Sequence, residues 1–162
     1  MITLIGSSRL GYSLAPAPSY GNPFNAESDL DFSVVSSSLF EHCSDTFQAW
    51  KEDYQNGIVR PSNTMEEKFW SWNVAEVPRN LGRGFIDPWK IPLRRQYKIT
   101  QELNQAMWGV TIRLKLSSSN IQVKKASIRV FRDWHAFVAQ HSINLRYAAS
   151  KTSLSVDKTH SL

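Results

Sequence analysis

The chain predicts an α/β (α+β) domain in which short apolar strands alternate with longer helical segments and a long helix closes the C-terminal end. Three observations carry this. Two apolar runs of strand length, Ile2–Ile5 and Phe32–Val35, lie near the start. Each borders turn chemistry: Gly6-Ser7-Ser8 follows the first, and Ser28-Asp29-Leu30-Asp31 opens the second. The rest of the chain places apolar residues mostly at helical spacing. A length of 162 residues suits one domain, over 1–150, and the Ser/Thr-rich tail, 151–162, is expected to be disordered.

The elements follow in order. Ile2–Ile5 is a strand. Ser7 to Leu14 starts as a short helix. Leu10–Asn25 is an excursion without helix, because Pro16, Pro18 and Pro23 interrupt it. Leu30–Val35 is the second strand. Ser37 or Ser38 caps a helix from Leu39 to Gln55, with Phe40, Cys43, Phe47 and Trp50 near helical spacing, and Asn56-Gly57 ends it. Thr64-Met65-Glu66-Glu67 reads as a capping box opening a helix to Val74, whose Phe69, Trp70 and Trp72 fit core or interface. Pro78–Leu93 is irregular, with Gly82, Gly84, Pro88 and Pro92, and carries Arg79, Arg83 and Lys90. Tyr97–Met107 is a helix leading into a strand, Val110–Leu116, and Ser117–Asn120 is a turn. A final amphipathic helix spans Gln122–Ala149, with Lys125, Arg129 and Arg132 as a basic group on one side and His135 and His141 as core or surface residues.

Chemistry concentrates at the first two strands. A small-residue turn lets backbone N–H groups approach phosphate oxygens. Alternate residues of a strand share a face, so Asp29 and Asp31 point the same way with Cα atoms about 6–7 Å apart. Two carboxylates so placed can flank one or two divalent ions, and two-metal phosphoryl chemistry uses ions about 3.5–4 Å apart. Each feature alone fits a solvated turn; their order and their strands together favour a nucleotide site.

On these residues the chain resembles the nucleotidyltransferase-fold superfamily, which includes the minimal and DNA polymerase beta-like nucleotidyltransferases. Its signature is Gly-Ser, a spacer, then Asp-x-Asp, with a third carboxylate on a later strand. The resemblance covers about the first forty residues, and Arg9 stands where many bacterial members have an arginine. It implies a mixed β-sheet flanked by helices and metal-dependent transfer of a nucleoside monophosphate from a triphosphate to an acceptor hydroxyl. Gly6, Ser7, Ser8 and Arg9 would bind the nucleotide, ATP above others. Asp29 and Asp31 would hold Mg²⁺ (or Mn²⁺) and act in catalysis. Two departures stand out. The spacer between Ser7 and Asp29 is 21 residues, longer than the compact pattern. The Val110–Leu116 segment has no acid on its polar face, which leaves Asp87, in Gly84-Phe85-Ile86-Asp87-Pro88, as the best third carboxylate. The alternative is an inactive relative that acts by binding nucleotide, RNA or protein, as in a toxin–antitoxin or defence system.

Charge adds to this. Residues 1–78 hold four Lys and Arg against ten Asp and Glu, whereas 79–162 hold fifteen against four. A basic half of this kind fits nucleotide phosphates, an RNA or an acidic partner protein. No run of 18 apolar residues predicts a membrane span, and the N-terminus lacks the basic and apolar regions of a signal peptide. One cysteine fits a reducing compartment, so the expected location is cytoplasmic. Most family members place a helix before the first strand; the expectation is that this chain either lacks it or is a shortened form, and a missing helix would leave apolar surface uncovered, which fits a homodimer.

Overall fold

A computed structural model describes residues 1–15, 18–117 and 122–156, with side chains to residue 150. The chain runs β1 (Ile2–Ile5), α1 (Ser7–Leu10), β2 (Leu30–Val35), α2 (Ser37–Gln55), α3 (Thr64–Gly82), β3 (Phe85–Ile86), a 3₁₀ turn (Pro88–Lys90), α4 (Lys98–Leu116), β4 (Ala126–Phe131) and α5 (Trp134–Val156). Among the described residues the strands form one mixed sheet in the order β1-β2-β4-β3. β1 and β2 are antiparallel, β2 and β4 parallel, and β4 and β3 antiparallel. The mixed α/β class expected from the sequence is therefore present. No helix among the described residues is long and apolar enough to cross a membrane.

Strand alternation divides the core between the two faces of the sheet. Ile86, Val130 and Ile128 pack on one side with Phe40, Cys43, Phe47 and Trp50 of α2 and with Trp70 and Val77 of α3. The Trp50 ring meets Trp70 edge-on, with centroids 5.7 Å apart. Phe85 and Phe131 pack on the other side with Ala136 and Phe137 of α5. Gly84 makes the sharp exit from α3 into β3 at φ +79°, and a Cβ there would lie 2.7 Å from the Cβ of Ala136.

Several boundaries differ from the sequence expectation. Ser36, not Ser37 or Ser38, caps α2, its side chain accepting from Leu39 N. Asn63, not Thr64, caps α3 by accepting from Glu66 N, while the Glu66 carboxylate reaches back to Ser62 N. α3 continues past Val74 and through Pro78 to Gly82, so much of the expected irregular stretch is helix, β3 and 3₁₀ turn. Phe69 and Trp72 are exposed on α3, whereas Trp70 is buried. The expected strand Val110–Leu116 is the second half of α4. Nothing after Tyr97 stops the helix, and each added residue of a formed helix gains its own hydrogen bond without a new nucleus. The expected helix Gln122–Ala149 instead contains β4, then the break at Arg132-Asp133, then α5. Asp133 caps α5 by accepting from Ala136 N at 2.8 Å. Helix is assigned to Val156; the remainder of the expected tail, 157–162, and the expected turn at 118–120 lie outside the described residues.

Candidate functional site

Parallel pairing of β2 with β4 places Asp31 opposite Ser127 and Ser33 opposite Arg129, so these four side chains share one face of the sheet. The N-terminal ends of both strands open into a pocket of about 470 Å³. Asp29, Asp31 and Asp87 all line it, joined by Lys125, Ser127 and Arg129 from β4 and the residue before it. The opposite wall is α4, with Leu103, Asn104 and Met107, and Pro88-Trp89 after β3. Thr111 ties that wall to the strand: its hydroxyl donates to Met107 O at 3.0 Å and accepts from Ala126 N at 3.0 Å.

Asp31, in β2, and Asp29, just before it, sit differently. Asp31 Oδ1 accepts from the Ser127 hydroxyl at 2.6 Å. Its Oδ2 lies toward Gly6, where a Cβ would come within 3.4 Å of it. Gly6 has φ 65° and ψ −151°, a region open almost only to glycine, so β1 delivers its turn against Asp31 without a side chain between. Asp29 Oδ2 lies 3.7 Å from Lys125 Nζ, and Asp29 Oδ1 is buried without a hydrogen-bond partner.

Asp87 is 4% exposed and is held from two sides. Arg129 donates through Nε to Oδ1 at 2.7 Å and through Nη2 to Oδ2 at 3.0 Å. Lys90 Nζ lies 3.8 Å from Asp87 Oδ2 and 2.9 Å from Glu76 Oε2. The acidic residue proposed as a third ligand thus shares the pocket with Asp29 and Asp31 but is committed to an arginine. Among the described residues no three His, Cys, Asp or Glu side chains converge as a metal centre.

The remaining site expectations fall just outside. Gly6, and Ser7, Ser8 and Arg9 of α1, do not line the pocket. The Ser8 hydroxyl donates to Ile5 O at 2.7 Å, and Arg9 is exposed. Arg132, grouped with Lys125 and Arg129 in the sequence, pairs locally with Asp133. Sequence reasoning missed Ser127 and gave Arg129 a helical setting. The usable signal was the alternation of Ser127 and Arg129 with Ile128 and Val130. No family model, curated protein or solved structure matches this chain.

Proposed function

We propose that this pocket binds a nucleoside triphosphate, ATP above others, and that the protein is a metal-dependent nucleotidyltransferase of the kind its first forty residues resemble. One observation carries the reading: Asp29 has a buried carboxylate oxygen with no partner, beside Asp31 and the bare turn at Gly6. A buried acceptor left unpaired is costly, and a cation relieves it. The donor set fits Mg²⁺, which commonly binds through one or two carboxylates and completes its shell with phosphate oxygens and water. Asp29 and Asp31 would hold the ion, which when bound neutralises charge on the phosphate oxygens.

The chain's own residues account for the rest. Ser127 fixes the rotamer of Asp31 and leaves Oδ2 facing the Gly6 turn. Gly6 leaves room for a phosphate to reach backbone N–H groups. Lys125 and Arg129 offset phosphate charge from the β4 side. In the transfer, the acceptor oxygen forms a bond to the α-phosphorus, the bond to the bridging oxygen breaks, and pyrophosphate leaves. The acceptor proton passes to a base, and a carboxylate of the pocket is the available type.

Calorimetric titration with ATP, GTP, CTP and UTP, with and without Mg²⁺, tests the reading. Magnesium-dependent binding lost in the Asp29→Ala, Asp31→Ala double variant is expected. Equal binding by that variant would sink the assignment. One observation favours a second reading, a non-catalytic relative acting through nucleotide, RNA or protein binding: Asp87 is bonded to Arg129 and is a poor free base. Magnesium-dependent binding without pyrophosphate release against any acceptor class would select it.

A further inference from the structure

β4 is the strand beside β2, and toward the pocket it presents Ser127 and Arg129 rather than an acid. The Arg129 guanidinium is fixed on several sides. Nε and Nη2 are both spent on the Asp87 carboxylate, and the Phe85 ring lies 4.8 Å from the guanidinium carbon. Asp87 itself is anchored by burial and by Lys90, which is anchored by Glu76. A guanidinium has five N–H donors, and this side-on pairing uses one on Nε and one on Nη2. The other three have no acceptor within the described protein. The side chain is 30% exposed and lines the same pocket as Asp29 and Asp31. A planar fork already held in place loses little freedom when an anion binds.

We propose that Arg129 is the phosphate-binding residue of this pocket and that Asp87 is its positioning residue, so that the site grips a polyphosphate group through the three unspent N–H donors of Arg129. This rests on the reading of the pocket as a triphosphate site and specifies which side chain meets the phosphates. It also gives Asp87 a task other than metal ligation. Lys125, exposed at the pocket rim and only loosely paired with Asp29, adds positive charge on the same side.

Inorganic tripolyphosphate without divalent metal is the probe, titrated calorimetrically into the full chain at low salt. Wild type should bind. Arg129→Gln should weaken binding about tenfold or more, the scale of charge-assisted hydrogen bonds lost. Arg129→Lys should recover little, since a lysine cannot form the fork. Asp87→Asn should weaken binding several-fold although Arg129 remains. Arg60→Gln removes the same charge at an exposed position outside the pocket and should bind as wild type. A second measurement needs no variant: tripolyphosphate should protect Arg129, but not Arg94, from phenylglyoxal, as mapped by mass spectrometry. Unchanged binding in Arg129→Gln, equal losses in Arg60→Gln, failure of wild type to bind or failure of protection would each overturn the proposal. The nucleotidyltransferase reading is judged separately, by magnesium-dependent triphosphate binding through Asp29 and Asp31. Loss of tripolyphosphate binding in Arg129→Gln, with no such dependence in wild type, would sustain the arginine site and remove the transferase.

Discussion

At the residue scale, His141 is half-buried against Phe137 and Phe131, with ring centroids 4.4 and 5.8 Å away. Its Nε2 is buried without a partner. Burial, then Arg129 and Arg9, hold its pKa below the ordinary 6.5. The unfolded chain therefore takes up this proton first, and stability falls as pH drops from the unfolded value toward the folded one. Denaturant melts between pH 7.5 and 5 should show this loss, and His141→Phe should flatten the slope. Cys43 makes a second expectation. Burial pushes its thiol up to about 12, so the native protein should resist thiol reagents at pH 8 and react only when unfolded. Sequence reading found Asp29, Asp31 and Gly6 because each adjoins an apolar run short enough to be a strand. It could not pair Arg129 with Asp87, which lies forty-two residues earlier in the chain.

At the element scale, helix entries and exits carry testable weight. Asn63→Ala should cost about 1 kcal/mol by removing the cap of α3, measured by chemical denaturation. Gly84→Ala should cost more than Asn63→Ala. It forces a left-handed φ on a residue with a Cβ and drives that Cβ into Ala136, which joins α3, β3 and α5 at one point. The two misread elements show what a single sequence withholds. Val110, Ile112, Leu114 and Leu116 alternate like a strand, yet they continue a helix already formed. Ile128, Phe131, Trp134 and Phe137 fall at intervals of three, yet a capping aspartate splits them between a strand and a helix. Apolar spacing alone does not separate these cases; the hydrogen-bond partner of each backbone group does.

At the scale of the whole molecule, the sheet order was beyond reach from the sequence because β4 lay hidden in an apparent helix. Strands β1 and β2 were legible, and so was half of the pocket; the half contributed by β4 and α4 was not. A chain ending at Ser117 would keep Asp29 and Asp31 but lose the strand that pairs with β2. Such a fragment should unfold without a cooperative transition and bind no triphosphate, as circular dichroism melts and calorimetry would read. Joining Leu30–Val35 to Ala126–Phe131 in parallel also has a temporal side. A ribosome adds roughly 5–20 residues per second, so β2 emerges roughly 5–20 s before β4. Met1 to Ile5 can zip onto one edge of β2 at once. Throughout that wait the other edge stays unpaired beside the acidic residues, and a strand from a neighbouring nascent chain can compete for it. The strand that carries Asp31 is then also the one most in need of a chaperone during synthesis.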